Sequence, residues 1–414
     1  LSTSTTSPEP PAGDSIQTGP GGGRLGPLAA MRRRLRTGEL GAWPVIIGLV
    51  VIWVVFQSLN DRFLSPQNLS NLTLQIAATG TISVGVVLVL LLGEIDLSVG
   101  SVAGVAAAAL AVLTVRNGWG DLAGIAVALL LGAAIGAVQG SVFARLGVPA
   151  FVVTLAGNIG WQGLQLFMLK PEGTINLPYT GFVGQITHVN LGPAAGWLVG
   201  ALAVLTYAAA VLLDTRRRSA AGLPTRSLFR SLLWIVGLAV LVAVTVAVLN
   251  AWQGVPVALL ILLALVVMMD LVLRRTRYGR SIFAVGGNVE AARRAGINVA
   301  MIRISVFALT STLAALGGIL IASRGFAAGQ STGAGDTLLV AIAAAVIGGV
   351  SLFGGRGSTY GALLGSLVLG SITSGMFLLQ LDSSVRFMIT AAVLLTAVIL
   401  DSLSRRGRRS SGRA

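Results

Sequence analysis

Gly93-Glu94-Ile95-Asp96-Leu97-Ser98-Val99-Gly100-Ser101 is the stretch whose residue types could do the most chemistry. It sets two carboxylates between long apolar runs, and an acid at mid-helix in a membrane costs on the order of 2.5–3.5 kcal/mol. The flanking glycines suggest a helix break, with Asp96 and Ser98 placed to cap the next helix by accepting its free N–H groups. The same side chains could instead line a polar route. Uncharged polar residues at apolar depth allow that use: Thr154, Asn158 and Gln162, with Gln75, Thr79, Thr81, Ser83 and Gln165. Asn158 and Gln162 stand four apart on one helix face, and Thr154 extends it. A neutral polyol needs such donors and acceptors and no strong charge, whereas a metal ion or proton relay would want carboxylates. Interhelical hydrogen bonding would use the same residues.

A second patterned stretch runs from Tyr278-Gly279-Arg280 through Gly286-Gly287-Asn288-Val289-Glu290-Ala291-Ala292-Arg293-Arg294-Ala295-Gly296-Ile297-Asn298. Asn288 is a good N-cap, Glu290 falls in the first turn where the helix dipole favours an acid, and Gly296 is a natural stop. A short helix of small residues and exposed arginines suits docking in a partner's groove; a plain positive loop would only fix topology. Three other features carry less. Gly355-x-Gly357 has no glycine at 360 and no strand before it, so close helix packing and a tight turn explain Gly348–Ser358. Gly333-Ala334-Gly335-Asp336 fits the GxGD pattern of intramembrane proteases, with Asp96, which lacks the usual tyrosine before it, as the nearest partner acid, and reads better as a helix cap. His188 stands in a polar loop and is expected to be solvated. There is no GxxxxGK[ST] sequence, the one lysine is Lys170, and there are no cysteines. No catalytic, cofactor-binding or metal-binding residue is therefore assigned.

The elements that must position these residues are membrane spans. The 414 residues are 55% hydrophobic and 10% charged, with mean hydropathy +0.87, a balance that argues for lipid as solvent. Apolar runs lie at roughly 43–59, 72–93, 97–115, 122–144, 149–169, 194–213, 231–249, 255–273, 303–323, 337–351, 359–380 and 384–400. The expected fold is all-α, a polytopic transmembrane helical bundle of about 10–12 spans, in which 97–115 and 337–351 are candidates for broken or re-entrant helices. A faint repeat, Gly100–Gly104 against Gly357–Gly361, suggests two pseudo-repeated halves.

The net charge of +15 is not that of a nucleic-acid binder, because the arginines sit in clusters between apolar runs. Alternate crossings put Arg32–Arg36, Arg216–Arg218 with Arg226 and Arg230, Arg274–Arg294 and Arg405–Arg413 on one side, the cytoplasmic one by the positive-inside rule. Both termini are thus expected in the cytoplasm. Residues 1–31 read as a disordered tail without a signal peptide, 32–404 as the membrane domain with a 274–302 cytoplasmic loop, and 405–414 as a basic tail.

Residues 93–101, 146–157, 283–299 and 343–365, four co-linear motifs, resemble those of ribose/xylose-type ABC sugar permeases over nearly all of 43–404. The extra block at about 194–273 looks most like the D-xylose branch. Glu94 stands where that family more often has glycine. The resemblance implies a dimeric permease of the plasma (cell inner) membrane with no catalytic residues. A cytoplasmic ATPase, using ATP that this chain does not bind, would dock on a coupling loop matched by Gly287, Asn288, Glu290, Ala291, Ala292 and Gly296. An extracytoplasmic sugar-binding protein would deliver a monosaccharide such as D-xylose. The alternatives are a secondary transporter, or an ABC permease for ribose, an autoinducer-type furanoside, a nucleoside or branched-chain amino acids.

Overall fold

The computed structural model describes residues 43–224 and 227–410. The tail at 1–31, Arg32–Arg36, Arg226 and Arg413 lie outside the described residues. Every apolar run read from the sequence is a helix. These are α1 (Trp43–Leu59), α2 (Pro66–Leu91), α3 (Val99–Ala111, continued by a π-helical turn to Arg116), α4 (Asp121–Leu146) and α5 (Ala150–Met168). After a short α6 (Phe182–Gln185) come α7 (Pro193–Ala220), α8 (Leu228–Asn250) and α9 (Val257–Arg275). Two short helices, α10 (Arg277–Gly287) and α11 (Val289–Arg294), lead to α12 (Val299–Gly325), α13 (Thr337–Ile347), α14 (Thr359–Leu378) and α15 (Ser383–Ser410). Eight of these are long and apolar enough to cross a membrane. The fold is a polytopic helical bundle.

Strand pairing is confined to two ribbons that tie loops on one side. Thr174–Asn176 pairs antiparallel with Ala327–Gly329, and Asn190–Leu191 with Val255–Pro256. Both ribbons join connections that alternate crossings place opposite the arginine-rich loops.

The centre of the bundle is α12, buried among α2, α3 and α4. Lipid tails give helices no hydrophobic reason to associate, so close van der Waals approach must do it. The sequence supplies glycines at spacings of four on α4. A methyl on Gly136 would stand 2.3 Å from Phe307 O, and on Gly140 2.9 Å from Ile304 Cα. One on Gly132 would meet Ala315 Cβ at 2.7 Å. On the other flank Thr310 donates to Gly85 O at 2.9 Å, and a methyl on Gly318 would lie 2.0 Å from Ala103 O. These contacts leave no room for any side chain.

Of the two suspected irregular spans, one follows a break in the helix and the other is short. The break before α3 is the non-helical connector Leu92–Ser98. Helix α13 has only 11 residues, about 16 Å. The turn before it lies against α3, where a methyl on Gly100 would be 2.5 Å from Gly333 O. The matched glycines of the repeat differ in place: Gly100 sits in the opening turn of α3, whereas Gly357 precedes α14. The peripheral α7–α8 hairpin packs mainly on itself, through Gly196 and Gly200, and is otherwise exposed.

Gly136→Ala should cost about 1–3 kcal/mol by overpacking the α4–α12 contact. Gly160→Ala, with open space around its Cα, should be neutral. Melting of the detergent-solubilised protein, followed by fluorescence-detected size exclusion, checks this; equal melting temperatures would deny the contact.

Candidate functional site

The loop at 274–302 is built as two helices at right-angled purposes, one anchored and one presented. Helix α10 starts on Thr276, whose hydroxyl accepts from Gly279 N at 3.1 Å, and is held to α12 by Tyr278 Oη donating to Ser305 Oγ at 2.9 Å. Burial pushes the Tyr278 phenol above its ordinary value, so it stays a neutral donor. Asn288 caps α11 as expected, its Oδ1 accepting from Ala291 N at 2.9 Å. Glu290 lies in the first turn and pairs with Arg293 at 3.1 Å, both well exposed. Ala292 is buried and turns that side of α11 inward, while Gly287 is open on its Cβ side. Gly296 ends the helix at φ +80°, and Asn298 caps α12 through Met301 N at 3.0 Å. The result is a rigid protrusion with Gly287, Glu290, Arg293 and Arg294 on its surface.

That protrusion rests on the end of α2. Leu91 O accepts from Gly355 N at 2.9 Å, and a methyl on Gly286 would stand 1.8 Å from the same oxygen. Gly93, at φ +80°, is covered by Phe353 and Gly354. The glycine-rich turn at 348–358 is thus a clamp on α2, with Gly349, Gly354 and Gly355 all at positive φ. Glu94 reaches Arg303 at 3.6 Å, and that guanidinium also lies 4.4 Å over the Phe143 ring.

Asp96 and Ser98 do not cap α3 in the expected way. Asp96 Oδ1 accepts from Ser98 N at 2.8 Å and from Ser98 Oγ at 2.6 Å, so it folds the connector back before the helix begins. Ser98 is the N-cap residue by position, yet its side chain makes no capping bond. Its hydroxyl lies 2.9 Å from Gln139 Oε1 on α4 instead. Thr154 is fully buried and bonds to Ala150 O at 3.0 Å, whereas Asn158 is half-buried and Gln162 exposed. The five residues read as one lining therefore divide: Asp96, Ser98 and Thr154 face the interior, and Gln162 faces out.

Sequence reasoning missed three members of this region, Gln139, Trp161 and Arg303. A lone amide inside the apolar α4 and an arginine one turn into α12 were the available signals. His188 is also corrected. It stacks on Phe326 with centroids 4.1 Å apart and faces Ser323 O at 3.3 Å, so it is built into the loop, not merely solvated. Asp336 is the N-cap residue of α13 by position, without a side-chain capping bond. Among the described residues no His, Asp or Glu cluster could hold a metal ion.

Residues 68–399 match the profile of the family described as branched-chain amino acid transport system / permease component. The chain belongs to that family. Among curated proteins it is 36% identical over 377 residues to the xylose transport system permease protein XylH of Escherichia coli, covering 90% of this chain and 94% of that one. The XylH protein of Haemophilus influenzae is 32% identical over 90% of this chain and 99% of its own length. The ribose import permease protein RbsC of Escherichia coli is 33% identical over 86% and 92% respectively. No solved structure is significantly similar. The matched span of this permease-family chain takes in α2 through most of α15, so the protrusion, its clamp and the buried connector all lie within it.

Gly286→Ala should displace the protrusion from α2, because nothing but backbone is within reach to yield. Gly287→Ala meets nothing within 4 Å and should leave the fold unchanged. Limited trypsin cleavage at Arg293 and Arg294 in membrane vesicles distinguishes them: accelerated cleavage is expected for the first only, and identical rates would disprove the seat.

Proposed function

We propose that the chain is the membrane-spanning subunit of an ATP-driven importer that carries a monosaccharide, D-xylose or a related pentose, across the cell inner membrane. One observation carries this: identity to the XylH permease extends over 90% of the chain, protrusion included. The α10–α11 protrusion is the docking element for a cytoplasmic ATPase, with Gly287, Asn288, Glu290, Ala291, Ala292 and Gly296 forming or shaping its contact surface. An extracytoplasmic sugar-binding protein delivers substrate on the side of the two strand ribbons. Both termini lie in the cytoplasm, and the chain acts as a homodimer without an ATPase site of its own.

The family description names amino acids, and the side chains favour a neutral solute instead. A zwitterion asks for paired charges, whereas α5 offers Asn158 and Gln162 beside the small Gly160 and Gly163. Asn158 and Gln162 line the route in this reading. Asp96, Ser98 and Thr154 lie behind it as support. A secondary transporter would need a coupling-ion site near the midplane. Among the described residues Asp96 is the sole acid with a buried side chain, which gives such a site little to build on.

Proteoliposomes holding the chain with its ATPase and binding protein should accumulate labelled D-xylose only when ATP is enclosed with the ATPase. The chain alone under a proton or sodium gradient should accumulate none. Gradient-driven accumulation would establish the secondary transporter, and ATP-driven uptake of ribose but not xylose would reassign the sugar.

A further inference from the structure

Ser98 is asked to donate twice with one proton. Its hydroxyl lies 2.6 Å from Asp96 Oδ1 and 2.9 Å from Gln139 Oε1, and all three residues are buried. The carboxylate is the stronger acceptor, so the proton goes to Asp96. Gln139 must then present a donor to Ser98, which requires its NH2 group there rather than its carbonyl. Amide oxygen and nitrogen exchange places by a half-turn that changes no packing.

That half-turn also resolves two other buried atoms. With the carbonyl toward Ser98, Gln139 Nε2 has no partner, and neither does Trp161 Nε1 on α5. Both converge on one spot over Gly157: a methyl there would stand 2.2 Å from the first and 3.0 Å from the second. Once turned, Gln139 offers its carbonyl to the indole N–H. A buried donor left unpaired costs about 1–3 kcal/mol, so satisfying both groups with one rotation decides the orientation. The chain of bonds then runs Trp161 to Gln139 to Ser98 to Asp96, each donating to the next.

We propose that Gln139 is a positioning residue, whose amide fastens helix α5 to the connector before α3. The connector begins at the residue after Leu91, on which Gly286 and Gly355 seat the docking element, and Asp96 lies five residues beyond it. A displacement of the α10–α11 protrusion therefore reaches α5, the helix carrying Asn158 and Gln162, through this relay. Gly157 is a glycine because the amide and indole occupy the space of its side chain. As an element of coupling, the relay presupposes the ATP-driven importer.

The test compares Gln139→Leu, Trp161→Phe and the double variant in proteoliposomes containing the ATPase and binding protein. Labelled D-xylose uptake and ATP hydrolysis are measured on the same vesicles and normalised to inserted permease. Each single variant should lower the sugar moved per ATP by roughly threefold to thirtyfold while hydrolysis continues. The double variant should fall no further than Gln139→Leu, because one shared bond is lost only once. Should Gln139→Leu fail to insert, Trp161→Phe, which removes the N–H and keeps an aromatic ring, carries the same ratio test. Wild-type ratios in the single variants, or multiplicative losses in the double, would overturn the relay. Failure of ATP to drive uptake by the unmodified chain would strike the importer reading itself.

Discussion

Helix α12 can occupy the centre of this bundle only because its neighbours bring backbone against backbone. Gly132, Gly136 and Gly140 do this on α4, while Gly85 with Thr310 and Gly318 with Ala103 do it toward α2 and α3. In lipid, such close approach and the polar contacts it permits replace the hydrophobic effect as the source of helix association. The same device recurs where α13 meets α14, since a methyl on Gly365 would lie 1.8 Å from Ala344 O. It recurs again at the foot of α2, where Gly286 and Gly355 meet Leu91 O. The α10–α11 protrusion is thus an extension of the core, seated by the contact type that holds the core together.

The seat explains a composition that would otherwise look loose. Loops rich in glycine usually signal freedom, and here Gly349, Gly354 and Gly355 adopt positive φ to wrap the end of α2. Glu94 and Arg303 add an ion pair beside that wrap, with Phe143 stacked beneath the guanidinium. Polar groups buried in this region are few, and hydrogen bonds join Asp96, Ser98 and Gln139 among them. They gather at the one place where α2 and α3 are not a continuous helix, which is where backbone groups most need partners.

Much of the fold was legible in the sequence because the spans are set by apolar length, and the runs at 337–351 and 359–380 were read to the residue at their starts. The caps at Asn288 and the stop at Gly296 were legible for the same reason: each follows from local chemistry. The division of the polar residues was not. Thr154 and Gln162 share a flank of α5 in projection, and only the packing of α3 and α4 decides that one is buried and the other exposed. Gln139 escaped notice because its partner, Ser98, lies 41 residues before it on a different element. The helix break at Gly93–Ser98 was read correctly as a break and incorrectly as a cap, since the Asp96 side chain folds its own connector.

Docking of a cytoplasmic ATPase on α10–α11 is the claim on which the functional reading stands, and the chain has no cysteine to interfere with its test. A single cysteine at Glu290, in the complex with the ATPase, should form an adduct with that subunit on treatment with a short thiol–amine cross-linker. One at Gln185, the last residue of α6 in a connection that alternate crossings place opposite the arginine-rich loops, should form none. Cross-linking to the ATPase from position 185 and not from 290 would contradict the account.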